Sequence, residues 1–319
     1  MALVLREKDV RLLLSMPDTV EVLEQAFAAL AQNNALNRPR TRLVLANGVL
    51  HMLSAAAPSL GVLGFKAYTT FREGVRCVVM LFSAQNGQLL AIIEADWLGC
   101  MRTGGASGVA TKYLARPDAK LVGLIGAGNQ AITQLMGVCA VRQISGVYVY
   151  GRRPRECAIF CDEMTRLLNI AVKPVTTAQQ AVEAADILVT ATTSPDPVLR
   201  GEWLKAGCHI NAIGSNWAQR RELDVSTLQL SSLIVTDSRE QARIEAGDLI
   251  IPANEGLFDW NEVYNLADVI VGYAPQRELP DDITLYKGVG IALEDIATAE
   301  HVYRLAVAQN VGEELDILA

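Results

Sequence analysis

Histidine is scarce, three in 319 residues, and no HExxH run is present, so a histidine-based metal site has little to build on. The six cysteines (Cys77, Cys100, Cys139, Cys157, Cys161, Cys208) show no CxxC spacing, and only Cys157 and Cys161 fall one helical turn apart. Neither a disulfide framework nor a structural zinc is expected. Long apolar runs are also missing: Leu121–Ala127 and Ile187–Ala191 are strand-length, far below the roughly 20 residues of a membrane-spanning helix. The opening MALVLREKDV has charge by its sixth residue and no apolar stretch leading to a small-residue cleavage site. No secretory signal is expected, and the cytoplasm is the default location. Basic charge is in deficit too: 28 Lys and Arg against 35 Asp and Glu leave a net −7, which argues against nucleic acid as a partner.

What remains is a chain that is 51% hydrophobic and long enough for one large or two medium cores. The first forty residues read as helix, with Asp9 or Ser15 as caps and Val20, Leu23, Phe27 and Leu30 at helical spacing. From Thr41 the texture changes to short runs separated by turns, and Gln85-Asn86-Gly87 between two apolar runs marks a hairpin. This predicts an antiparallel sheet. Asp96–Leu114 reads as a helix through Arg102-Thr103-Gly104-Gly105, ended by Pro117. After Pro117 strands and helices alternate: Leu121–Ile125, a helix to about Arg142, Val147–Tyr150, a helix near Arg155–Leu168, then strands in ADILVTATT, HINAIGS and SLIVTDS. That rhythm implies a doubly wound parallel sheet with right-handed crossovers. The tail, Gly290–Leu318, reads as helix. The expectation is an α/β chain: a parallel-sheet domain over 118–290, and a mixed α+β domain with an antiparallel sheet from 1–117 and 291–319.

Leu121–Ile125 runs straight into Gly126-Ala127-Gly128-Asn129-Gln130-Ala131, a GxGxxA that follows a buried strand and opens a helix. In that context the motif is the fingerprint of a Rossmann dinucleotide-binding domain. Gly126 allows the tight turn, Gly128 lets backbone approach a pyrophosphate, Ala131 permits close helix–strand packing, and the helix N-terminus favours the phosphates. Where an NAD site places an acid on the ribose 2′-hydroxyl, the second strand here ends in Gly151-Arg152-Arg153. Two guanidinium groups and no carboxylate favour NADP(H) over NAD(H). Val189–Ser194, with Thr190, Ala191 and Thr192, falls at the carboxyl edge of the sheet and is expected to line the cofactor.

The sequence resembles the ornithine cyclodeaminase/mu-crystallin family through Arg38-Pro39-Arg40, Gly64-Phe65-Lys66, Met101–Ala106 with Lys112–Ala115, Gly126–Gln134, Gly214–Leu223 and Tyr286–Asp295, in the right order over nearly the whole chain. The resemblance implies a homodimer and an N-terminal substrate and dimerisation domain completed by the C-terminal helix. It implies a substrate that is a small α-imino or α-amino acid, its carboxylate held by Arg40, Lys66 and Arg102. Charge-assisted partners are what a carboxylate entering a dry cleft requires. It also places Thr103, Gly214, Ser215, Lys287 and Gly288 beside the cofactor.

The chain departs from the family pattern in two places. Deaminating members carry an aspartate where this sequence has Asn216, and an amide cannot act as a general base. Gly288 stands where relatives often have serine. His51, near a position the deaminases fill with glutamate, is a candidate proton donor, as are Lys66 and water; Asn216 would orient the imine nitrogen or a water. Met52, Leu53, Tyr68, Phe71, Trp217 and Trp260 are the candidates for the pocket wall that sets side-chain preference. The expectation is an NADPH-dependent reductase of small, cyclic α-imino acids such as pyrroline- or piperideine-2-carboxylate. Ornithine cyclodeaminase, an amino-acid dehydrogenase or N-substituted amino-acid-forming reductase, and a mu-crystallin-like NADP(H)-binding protein remain as alternatives.

Overall fold

The computed structural model describes residues 2–317 and divides into two units, one formed by the chain up to Thr103 together with the segment from Gly290, the other by Gly104–Val289. The first unit opens with β1 (Ala2–Leu5), α1 (Glu7–Leu13) and α2 (Met16–Ala31), the last started by Ser15, whose hydroxyl accepts the Asp18 N–H. The sequence reading of this stretch as helix throughout overlooked β1, because four apolar residues fit a strand and a buried helix turn equally well. Four strands follow as a meander, β2 (Leu36–Leu45), β3 (Gly48–Ala57), β4 (Val62–Phe71) and β5 (Gly74–Ser83), and the Gln85–Gly87 turn leads into β6 (Leu89–Glu94). Their alternation buries Leu53, Ala55, Val79, Leu81, Ala91 and Ile93 on one face.

Helix α3 (Asp96–Leu114) begins where Glu7 accepts the Asp96 and Trp97 N–H groups. The division between units falls inside this helix, at Thr103/Gly104, and not at Pro117 where the break in sequence texture lies. The reason is local. A Cβ at Gly104 would run into the Thr133 backbone, and one at Gly137 into the Gly104 carbonyl, so the second half of α3 is packed against the following helix as part of the second unit.

In the second unit β7 (Leu121–Ile125), α4 (Asn129–Val141), β8 (Gly146–Tyr150), α5 (Pro154–Leu168), β9 (Ala171–Pro174), α6 (Ala178–Val182) and β10 (Ile187–Thr190) are followed by β11 (His209–Ala212) and α7 (Val225–Leu230). Then come β12 (Leu233–Thr236), α8 (Arg239–Glu245), α9 (Gly247–Asn254), β13 (Val263–Asn265), α10 (Leu266–Ile270) and β14 (Thr284–Lys287). The strands form one sheet in the order β13-β12-β14-β11-β10-β7-β8-β9, every pair parallel. This is the α/β doubly wound sheet expected. Two apolar clusters enclose it, one around Val122, Leu124 and Val149 with Leu135 and Phe160, the other around Ile210, Ile234 and Leu285 with Leu223 and Leu249. Covering both faces is what a parallel sheet requires.

The chain then returns to the first unit as α11 (Ala292–Gln309), which lies against β3, β4 and α2, and β15 (Glu313–Leu315). The expected helix to the end of the chain therefore stops at Gln309, with Asn310 left-handed after it, and Leu318 lies outside the described residues. β15 pairs antiparallel with β1, and β1 pairs parallel with β6, giving the order β15-β1-β6-β5-β4-β3-β2. The sheet is mixed at this end instead of purely antiparallel. Among the described residues no helix is long and apolar enough to cross a membrane.

Candidate functional site

In the first unit the three cations singled out in the sequence meet at the start of α11. Strand alternation turns Lys66 of β4 toward the helix-bearing face, on the row that contains Leu53 and Val79. Its Nζ lies 3.0 Å from Asp295 Oδ1. Arg102 of α3 places Nη1 2.6 Å from Glu294 Oε2 and Nε 3.0 Å from Asp295 Oδ1. Arg40 of β2 donates from Nη2 to the Gly290 carbonyl at 2.9 Å. Arg40, Lys66 and Arg102 are 6%, 4% and 7% exposed, far below what surface cations show. Burial opposes the charge on Arg102, but Asp295 and then Glu294 outweigh it and hold the guanidinium above its ordinary pKa.

Three buried cations thus converge beside two buried carboxylates. Buried guanidinium and ammonium groups gathered in this way are the charge-assisted donors that a carboxylate ligand requires. Glu294 and Asp295 were given no role in the sequence reading. The signal was available: two adjacent acids in the first turn of a helix whose neighbours Ile296, Ala297 and Ala299 are core residues imply buried partners.

His51 is buried on β3, its ring stacked on Tyr68 at 4.2 Å and its Nε2 3.3 Å from Thr70 Oγ1. Burial, then Arg42, Arg40 and Lys66, pull its pKa down to about 4. The imidazole is neutral at neutral pH, which weighs against the expectation that it delivers a proton. The folded state disfavours the imidazolium relative to an unfolded histidine near 6.5. The stability it contributes above pH 6.5 is therefore lost progressively as the pH falls toward 4. An NMR titration of the His51 ring in the ligand-free protein should give a midpoint near 4, and His51→Gln should flatten that part of the stability profile; an ordinary midpoint would contradict this. Of the pocket-wall candidates in this unit, Tyr68 joins the cluster and Leu53 is core, whereas Met52 points away on the more exposed face.

In the second unit Gly126 has φ +109°, and a Cβ there would run into the Ala191 carbonyl, so only glycine fits. Its N–H donates to the Tyr150 carbonyl at 2.9 Å, fastening the loop to the end of β8. Gly128 is the N-cap of α4 and has no side chain to block its first turn, Asn129 and Gln130 open the helix, and Ala131 is wholly buried. A cavity of about 350 Å3 lies over these strand ends, lined by Gly126, Ala127, Gly128, Arg152, Arg153 and Thr192 among others. The cradle, the open helix start and the cavity fit a dinucleotide. Arg153 Nη1 pairs with Glu156 Oε1 at 2.9 Å on the exposed rim, leaving Arg152 as the less committed guanidinium.

Several cofactor candidates stand differently. Lys287 has no exposure: its Nζ pairs with Asp248 Oδ2 at 2.9 Å and donates to the Ser215 carbonyl at 2.7 Å, so it supports a loop from inside and does not reach a ligand. Gly288 is buried with its N–H on the Ala212 carbonyl. Thr190 turns its hydroxyl inward to Glu222 at 2.8 Å, leaving Ala191 and Thr192 to line the cavity. Thr103 Oγ1 donates to the Gly99 carbonyl within α3. Gly214 and Asn216 are half-buried around the buried Ser215 in the loop after β11, and Trp260 packs in the second apolar cluster. Glu222 and Asp248, both wholly buried, went unremarked in the sequence. Burial pushes the Glu222 carboxyl up, against a downward pull from Lys287. Among the described residues, no three His, Cys, Asp or Glu side chains are grouped to hold a metal ion.

A sequence model of the ornithine cyclodeaminase/mu-crystallin family matches residues 1–310. A Delta(1)-pyrroline-2-carboxylate reductase of Bacillus cereus is 34% identical, with 98% of this chain and 99% of that protein covered. The structure of Thermococcus litoralis Delta(1)-pyrroline-2-carboxylate reductase in complex with NADH and L-proline superposes with a TM-score of 0.95 at 39% identity, covering 98% of this chain and 100% of that one. An archaeal alanine dehydrogenase dimer with bound NAD gives 0.94 at 31% identity, covering 99% of each chain.

Proposed function

Because the chain belongs to the ornithine cyclodeaminase/mu-crystallin family, we propose that it is an NADPH-dependent reductase of small cyclic α-imino acids of the pyrroline-2-carboxylate class. It is an oxidoreductase acting on an imine bond; NADPH and the ring substrate are the finer parts of the proposal. The observation that carries it is the convergence of buried Arg40, Lys66 and Arg102 at the start of α11, beside Glu294 and Asp295. Such a gathering of buried charged donors suits a substrate with a carboxylate. Asn216 in place of a general base favours reduction over deamination.

A nicotinamide cofactor, when bound, supplies the hydride, and the glycine loop with Arg152 and Arg153 would hold it. The chain's own residues do the rest. Arg40 and Arg102 orient the carboxylate, which removes orientational freedom from the reacting carbon. Lys66, a cation held by Asp295, is the group able to give a proton at Nζ, the role that neutral His51 does not fill. Assembly as a homodimer is part of the reading, supported by the dimeric alanine dehydrogenase relative and by the exposed apolar end of β2, where Leu43, Val44 and Leu45 are 66%, 67% and 61% accessible.

The test is to mix protein, NADPH and Δ1-pyrroline- or piperideine-2-carboxylate and follow the reduced-nicotinamide absorbance. Steady oxidation with formation of the cyclic amino acid is expected. No oxidation with any imino acid, or with a keto acid plus amine, would remove the proposal, and ammonia release from ornithine would replace it with deamination. The two neighbours described above hold NADH and NAD, so cofactor choice needs its own experiment. Arg152→Ala with Arg153→Ala should weaken NADPH binding about 10- to 100-fold, the loss of charge-assisted hydrogen bonds to a phosphate, and NADH by under about threefold. Equal losses for both would show that the pair does not grip a 2′-phosphate.

A further inference from the structure

We propose that Glu222 is a positioning residue for the nicotinamide half of the cofactor, its carboxylate fixing the backbone after β10 and β11 where that half would rest. The inference rests on the cofactor reading above. In the parallel sheet β7 and its glycine loop stand between β8, which is followed by Arg152 and Arg153, and β10. A dinucleotide lies across the carboxyl ends of the strands with its pyrophosphate at the glycine loop, so its two nucleosides fall on opposite sides of β7. With the adenosine end on the β8 side, the nicotinamide end falls toward β10 and β11.

Glu222 sits within the sheet's carboxyl edge on that side, with no exposure. Its Oε2 accepts from Thr190 Oγ1 and from the Gly214 N–H, each at 2.8 Å, and its Oε1 accepts from the Thr192 N–H at 2.7 Å. One carboxylate thus gathers donors from two loops. The approach is close enough that a Cβ at Gly214 would collide with Oε1 and with the Thr192 backbone. The acid is itself held: its N–H donates to Asp248 Oδ1 at 2.6 Å, and Asp248 pairs with Lys287, whose Nζ also donates to the Ser215 carbonyl. The Gly214–Ser215 segment is therefore gripped through an N–H by Glu222 and through a C=O by Lys287. Only a group that accepts at both oxygens satisfies all three donors; the Glu222→Gln side chain would turn an NH2 toward at least one of them.

Glu222→Gln tests this against wild type by calorimetry with the tighter-binding of NADPH and NADH, and with the matching fragment that lacks nicotinamide, ADP-ribose or its 2′-phosphate. Fragment affinity should stay within about twofold, whereas affinity for the whole cofactor and kcat for the imino acid should each fall at least tenfold, with KM for the imino acid changed by less than threefold. Thr190→Val, which removes one of the three donors, should shift the same readouts in the same direction by a smaller factor, and it decides the matter should Glu222→Gln fail to fold. Unchanged cofactor affinity and kcat, or equal weakening of fragment and whole cofactor, would overturn the proposal and leave Glu222 a structural acid. Wild-type protein that binds neither nicotinamide nucleotide would overturn the cofactor reading itself, and this inference with it.

Discussion

Arg102→Ala should lower kcat/KM for the imino acid by about a hundredfold or more while leaving cofactor affinity within about twofold. Truncating one partner of a buried, hydrogen-bonded charge pair costs roughly 3–5 kcal/mol, and tenfold corresponds to about 1.4 kcal/mol. The same variant should unfold more easily, because Glu294 loses its 2.6 Å ion pair and Asp295 loses the Arg102 guanidinium while keeping Lys66. Arg102→Lys should fall between, since a single ammonium cannot meet Glu294 and Asp295 with the spread of a guanidinium. Steady-state kinetics and cofactor titration on the same preparations separate the two effects. An Arg102→Ala enzyme with wild-type KM and kcat would end the carboxylate-clamp reading.

The second large effect belongs to Asp248. It is wholly buried and accepts from the Glu222 N–H at 2.6 Å, the Leu223 N–H at 3.0 Å and Lys287 Nζ at 2.9 Å. Asp248→Asn strips the countercharge from a lysine with no access to water, and urea unfolding should register a loss of about 3–5 kcal/mol. Combining Asp248→Leu with Lys287→Met removes both charges and should recover part of that loss, because an apolar pair of similar volume is often tolerated where half an ion pair is not. Recovery should be incomplete, since leucine, unlike asparagine, offers the Glu222 and Leu223 N–H groups no acceptor. A loss under about 1 kcal/mol for Asp248→Asn would mean that the lysine finds another partner.

The second unit was legible because its signals are local. Leu121–Ile125 followed by Gly126–Ala131 reports strand, turn and helix within eleven residues, and the turn works only with glycine where φ is positive. The bounds of α3 were legible for the same reason, Asp96 at its start and Pro117 beyond its end. By contrast β1 and β15 are a four- and a three-residue strand that exist because they pair with each other across nearly the full length of the chain, with β1 also paired to β6. No periodicity within so short a segment announces such a partner.

The sequence by itself determined the doubly wound sheet, the dinucleotide loop and the family pattern in which Arg40, Lys66 and Arg102 stand out. Only the tertiary structure decided what those cations face, that His51 is held neutral, and that Lys287 belongs to the interior. The physical reason is that the state of a buried charge depends on its partners in space. Lys66 and Asp295 meet across 229 positions and Lys287 and the Ser215 carbonyl across 72, distances over which no sequence spacing can fix a polar contact.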